Sequence, residues 1–160
     1  MTEAGKVVET LAAQGATVAF AESCTGGLLT KLITDVPGAS AVLRGGVCAY
    51  ANEIKNGVLG VPQRDLDAYG AVSRPVALQM ARGVRRLMGT DIGVGTTGIA
   101  GPASDDTKKP VGLVYIAVAL PGGRYAVREL HLTGSRGEIR EETARRALAL
   151  VLEFSEHLCI

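Results

Sequence analysis

Ser23 stands in Ala21-Glu22-Ser23-Cys24-Thr25-Gly26-Gly27, a polar, glycine-rich stretch directly after the apolar run Thr17 to Ala21. The run suits a buried strand. The stretch after it reads as the start of a helix from Thr25 to Thr34. Open α/β sheets place their chemistry just beyond the carboxyl ends of strands. A serine there can attack a carbonyl carbon, with free N–H groups of the Cys24 to Gly27 turn holding the developing oxyanion. Gly26 and Gly27 lack a Cβ, which lets a substrate approach the backbone. Two other readings of the same residues stay open. One is that Ser23 simply caps the helix; the other is that Cys24 is a rival nucleophile, since thiolates are favoured at helix N-termini.

A serine hydroxyl needs a base. The chain has only His131 and His157, one in a strand pattern and one near the end of the chain, and no motif places either. A buried lysine with a depressed pKa is the other route. Lys55 lies one turn into the helix that follows the strand Leu43 to Tyr50, and Tyr50 is placed to orient it or relay a proton. An isolated lysine is also an ordinary solvated surface charge.

Gly93-Val94-Gly95-Thr96-Thr97-Gly98 spells GxGxxG but is not a dinucleotide fingerprint. That motif needs a helix immediately after it, whereas Ile99-Ala100-Gly101-Pro102 and a polar loop to Pro110 follow here. No phosphate-binding GxxxxGK[ST] exists either. Thr97, Gly98, Ile99, Ala100 and Gly101 remain candidates for substrate contact at a strand end. Asp105, Asp106, Lys108 and Lys109 form either a lid or an ordinary surface connection. Arg136 and Arg140 share one helix face and are suited to a phosphate, Arg140 ahead of Arg136. Neighbouring Glu138, Glu141 and Glu142 also permit a solvated salt-bridge face.

The elements that must position these residues follow from periodicity. Glu3 to Gln14 is a helix stopped by Gly15, and Pro37-Gly38 is a turn. Asn52 to Leu59 and Gln63 to Tyr69 are short helices. Pro75 to Met88 is amphipathic, with Ser73 as its N-cap. Asp91 to Thr97 is a third strand. Val111 to Leu120 and Tyr125 to Leu132 flank Pro121-Gly122-Gly123 as a hairpin, and Ser135 to Leu158 is a final helix. Alternating elements plus one hairpin predict a single α/β/α three-layer domain with a mixed sheet over residues 1–160. Strand order is not readable from this pattern.

Composition bounds the partners. The chain has 160 residues, 17 basic and 16 acidic, for a net charge of +1. That gives no general pull toward nucleic acid or anionic lipid. Cys24, Cys48 and Cys159 form no CxxC pair, so neither a zinc site nor a disulfide framework is expected. An odd count with no leader-like N-terminus fits a reducing cytoplasm. No apolar run approaches the ~20 residues of a membrane helix.

Taken together, Ala21 to Gly27, Tyr50-Ala51-Asn52-Glu53-Ile54-Lys55, Gly70-Ala71-Val72-Ser73, Gly98 to Pro102 and Lys109-Pro110-Val111-Gly112 resemble the CinA C-terminal domain. The likeness runs from about residue 5 to 155, with Ala51 where the family commonly has serine. Its stand-alone, PncC-like members are nicotinamide mononucleotide (NMN) deamidases. The resemblance implies a three-layer α/β/α fold with a mixed sheet. It implies hydrolysis of the NMN carboxamide to nicotinate mononucleotide and ammonia, in pyridine nucleotide salvage. It further implies a serine nucleophile with lysine and tyrosine assistance, matching Ser23, Lys55 and Tyr50. No metal or cofactor is implied, and a homo-oligomer, with a dimer favoured, is. The alternative is a non-catalytic nucleotide-binding or regulatory module. The set Ser23, Tyr50 and Lys55 separates the two, because a pure binder has no chemical need for a neutralisable lysine beside a serine.

Overall fold

The computed structural model describes residues 1–103 and 108–158. Five strands form one mixed sheet in the order β2-β1-β3-β4-β5. They are β1 Val18–Glu22, β2 Leu43–Cys48, β3 Ile92–Gly98, β4 Leu113–Ala119 and β5 Tyr125–His131. β1 runs parallel to β2 and β3, while β4 and β5 complete the sheet as an antiparallel hairpin. The helices are α1 Glu3–Gln14, α2 Leu28–Thr34, α3 Asn52–Gly57, α4 Gln63–Tyr69, α5 Arg74–Met88 and α6 Arg136–Ser155. This is the single α/β domain that the alternation of patterns predicts.

The layers follow from the two-residue period of β1. Val18 and Phe20 join the core with Val7 and Leu11 of α1, Leu29 and Ile33 of α2, and Ile139, Leu148 and Val151 of α6. Ala19 and Ala21 face the other way, onto Val76, Met80 and Val84 of α5 and Leu66 of α4. α5 lies unusually close to β3. A Cβ at Gly93 or Gly95 would run into the Ala81 or Ala77 carbonyl of that helix. The GxG pair is therefore a packing device, and Ala77 and Ala81 are small for the same reason.

The chain leaves β1 through α2 on one face and reaches β3 through α5 on the other. β1 is thus the point where the strand order reverses, and a crevice opens beyond the carboxyl ends of β1 and β3. Ser73 caps α5, accepting from Val76 N–H at 3.4 Å, as predicted. Two boundaries differ in ways that matter. The expected helix from Thr25 begins only at Leu28, because Gly26 (φ 58°) and Gly27 (φ 100°) occupy left-handed backbone that an α-helix does not admit. The last helix ends at Ser155, not at Leu158.

Candidate active site

Ser23 sits in a free-standing turn between β1 and α2, so it is not a helix cap. Its N–H donates to the Thr96 carbonyl at 3.0 Å, and its own carbonyl accepts from Gly26 N–H at 3.1 Å. Three further ties hold this turn. The Glu22 carboxylate, 1% exposed, accepts from Leu29 N–H at 2.8 Å, Thr30 N–H at 3.1 Å and the Thr30 hydroxyl at 2.8 Å. It caps α2 from the end of the preceding strand, satisfying donors that Gly27 has no side chain to meet. The hydroxyls of Thr25 and Thr96 share a buried 2.8 Å hydrogen bond. Arg140 reaches from α6 to donate to the Cys24 and Thr25 carbonyls, each at 3.0 Å.

Lys55 lies on α3 and is 1% exposed. Its Nζ contacts three oxygens: the Ala49 carbonyl at 2.8 Å, the Tyr50 carbonyl at 3.2 Å and Ser23 Oγ at 3.1 Å. Ala49 N–H in turn donates to the Glu22 carbonyl at 2.8 Å, so the backbone after β2 is sewn to the end of β1 and brings both carbonyls to the lysine. This arrangement has a chemical consequence. An ammonium donates to all three oxygens. A neutral amine keeps its two hydrogens on the carbonyls, which accept only, and turns its lone pair to the serine hydroxyl. Burial pushes the amine down from its ordinary 10.5 to about 8, against smaller opposing pulls from Cys24 and Glu53. The cause is the loss of hydration of the charged form.

The rival nucleophile is placed less favourably. Burial pushes the Cys24 thiol up to about 12, so it stays protonated near neutral pH, and the thiolate is the reactive form. Neither histidine lines the cleft. His131 on β5 pairs with Glu129 at 3.3 Å, and His157 packs near Phe154.

Ser23, Lys55 and Cys24 open onto a cleft of about 290 Å³. Its walls include Tyr50, Thr97 to Gly101 and Arg136, together with Asn52, Val72 and Ala103. Arg136 donates to the Gly101 carbonyl at 2.7 Å and to the Tyr50 hydroxyl at 3.2 Å. This leaves further guanidinium donors, out of five, for a ligand. The Thr97 hydroxyl donates to the Ala71 carbonyl at 2.8 Å and keeps acceptor capacity.

Several expectations are redrawn here. Arg140 faces the Cys24–Thr25 carbonyls and is not part of the cleft wall. The helix starts late, so the Cys24 carbonyl has no helical donor and the Thr25 carbonyl has only Leu28 N–H at 3.0 Å, and the arginine adds a donor to each. Tyr50, 67% exposed as a residue, orients Lys55 through its backbone carbonyl, while its hydroxyl meets Arg136. Thr25 is buried, and neither it nor Gly26 and Gly27 line the cleft. The turn's hydrogen bonds use the N–H groups of Ser23 and Gly26, leaving those of Cys24, Thr25 and Gly27 free of backbone carbonyl partners. The lid residues Asp105 and Asp106 lie outside the described residues. Lys108 is exposed, whereas Lys109 is tied down, donating to the Tyr69 and Val72 carbonyls at 2.6 and 2.5 Å. Glu22 and Asn52 escape sequence reasoning. Asn52 sits within the Tyr50 to Lys55 motif, whereas a lone acid ending an apolar strand carries no signal of its own. Among the described residues no group of histidine, cysteine, aspartate and glutamate is arranged to hold a metal. No described helix is long and apolar enough to cross a membrane.

The chain is similar in sequence and fold to known proteins. A CinA-like protein of Anaeromyxobacter sp. (strain Fw109-5) is 55% identical over 145 residues, which is 91% of this chain and 35% of that protein. A CinA-like protein of Thermosynechococcus vestitus is 50% identical over 152 residues, 94% of this chain and 36% of that protein. The chain thus spans about a third of the length of these relatives. Among solved structures, a CinA superfamily protein from Klebsiella pneumoniae superposes with a TM-score of 0.93 at 30% identity, covering 97% of this chain and 96% of that one. The competence/damage inducible protein CihA from Agrobacterium tumefaciens gives 0.88 at 37% identity, with 96% of each chain covered. The family model for the CinA C-terminal domain matches residues 2–155, and the chain belongs to that family.

Proposed function

We propose that this domain is a metal-independent amidohydrolase that converts nicotinamide mononucleotide to nicotinate mononucleotide and ammonia. The observation that carries the reading is the 3.1 Å contact between Lys55 Nζ and Ser23 Oγ, with the amine's remaining directions fixed by two carbonyls. Lys55, neutral, takes the hydroxyl proton as Ser23 attacks the carboxamide carbon. The new C–O bond pushes the carbonyl electrons onto oxygen, and the backbone N–H of Cys24, the one residue of the Cys24 to Gly27 turn that lines the cleft, holds that charge. As the tetrahedral intermediate collapses, the C–N bond breaks and Lys55 returns the proton to the leaving nitrogen as ammonia. Water, deprotonated by the same amine, then hydrolyses the acyl-enzyme. Arg136 holds the phosphate at the mouth of the cleft, beside the Gly98 to Gly101 loop. The reading carries a cytoplasmic, self-associating enzyme, with a dimer favoured.

The test is ammonia release from NMN, without added metal, by the wild type and Ser23→Ala. The expected result is release that falls at least ~10³-fold in the variant, as for a nucleophile acting in a unit. No release from folded wild type, across NMN, free nicotinamide and the dinucleotide, would instead favour the non-catalytic binding module.

A further inference from the structure

A second cleft, about 580 Å³, lies at the opposite end of the sheet. Its walls are the last turns of α5, the Gly89 to Asp91 entry to β3 and the turn between β4 and β5. The seven residues of β3 at ~3.3 Å each place it roughly 20 Å from Ser23. Four arginines line it: Arg82, Arg85 and Arg86 from one face of α5, and Arg124 from the β4–β5 turn, with Arg86 Nη2 lying beside Gly60 at the rim.

Three features set this group apart from ordinary surface charge. First, no carboxylate pairs with any of the four among the described residues, whereas Arg128, Arg145 and Arg146 each have a glutamate. Asp91 lines the cleft, but its Oδ2 accepts from the Thr17 N–H at 2.9 Å and hydroxyl at 3.1 Å. Second, three of the side chains are already oriented. Arg85 donates through Nε to the Asp91 carbonyl at 2.9 Å, and Arg124 through Nε to the Pro121 carbonyl at 3.2 Å. Both keep their two η nitrogens for another partner. The Arg82 guanidinium carbon lies 5.0 Å over the centroid of the Tyr125 ring, a cation–π contact that holds the group in place without using its N–H donors. Third, the charge is local, since the chain carries only +1 overall. The C-terminal end of α5 favours cations near Arg85 and Arg86, but it does not account for Arg124 on a separate element.

We propose that this cleft binds a small phosphate-rich anion, a diphosphate or triphosphate group such as a nucleotide carries. Guanidinium edges match phosphate oxygens in bidentate geometry. Four of them around one concavity exceed what a single phosphate uses, and the volume is that of a small-molecule site. A nucleic-acid surface would call for a basic stripe and a basic domain, which this near-neutral chain lacks. The site is independent of the amidohydrolase reading, because its occupant is detected by binding alone.

The test is calorimetric titration of the full chain with inorganic tripolyphosphate at low salt. The comparison set is the wild type, Arg86→Ser/Arg124→Ser, Arg86→Lys/Arg124→Lys and Arg136→Ala. Both Arg86 and Arg124 are exposed, and a thermal melt confirms that the variants fold. The expected result is one site that weakens as salt rises. Its affinity falls at least ~10-fold in the serine variant, is largely kept in the lysine variant and is unchanged in Arg136→Ala. Amide shifts on titrating the wild type are expected at Gly89, Thr90 and Gly123. The proposal is overturned if the wild type binds nothing or the serine variant binds equally well. It is also overturned if Arg136→Ala abolishes binding, which would put the anion in the catalytic cleft.

Discussion

Arg136 and Arg140 are one helical turn apart, yet the fold gives them different work. Arg140 is spent on two backbone carbonyls of the serine turn, so it shapes the nucleophile's surroundings from behind. Arg136 borders the cleft, with two of its five donors committed. A side chain that meets only the phosphate contributes binding and little to the chemical step. Arg136→Ala is therefore expected to raise KM for NMN about 10- to 100-fold, the loss of one charge-assisted contact, with kcat changed far less. Nicotinamide riboside, which lacks the phosphate, should lose much less. Steady-state kinetics on the two compounds checks this, and an equal loss on both would assign Arg136 to holding the Gly101 loop alone. Sequence spacing could place the two arginines on one face. It could not show that the carbonyl of residue 24 needs a donor, because that need arises only once the helix starts late.

At the scale of elements, short α3 does the most for its length. It carries Lys55 into the interior, and its N-cap is Ala51, in the extended backbone an N-cap needs (φ −90°, ψ 151°) but with no side-chain acceptor. A serine there would accept from the first free N–H groups of the helix. Ala51→Ser is expected to stabilise the domain by about 1 kcal/mol, read as a higher midpoint in chemical denaturation, with turnover unchanged. α2 shows the opposite arrangement. Its cap, Gly27, offers no side chain, and Glu22 substitutes from five residues earlier. Helix and strand patterns were legible because they are local: α1 and α4 have the bounds their periodicity gives. The start of α2 was misread because Gly26 and Gly27 look like a flexible approach to a helix but adopt a left-handed turn.

At the scale of the whole molecule, the sheet order β2-β1-β3-β4-β5 was not legible, since strand pairing joins residues distant in sequence. The candidate site depends on that order. Lys55 meets Ser23 only because β2 and β1 are neighbours, and Thr96 meets the serine turn only because β3 lies on the other side. The residue types at positions 23, 50 and 55 could be read as chemistry from their motifs. Their contacts, and the role of Glu22 beneath them, required the assembled layers. The depressed pKa of Lys55 is likewise a property of the whole fold, because closing α3 over the ends of β1 and β2 removes water from the amine.

That closure supplies the most direct test of the account, the pH dependence of kcat/KM for NMN, which reports groups of the free enzyme. Lys55 acts as a base only when neutral, so the rate must increase as the pH passes its pKa from below. The account predicts a rise with unit slope from pH 6, inflecting near the value of about 8 and reaching a plateau above it. A profile flat from pH 6 to 10, or one that falls across that window, would contradict Lys55 as the base for Ser23.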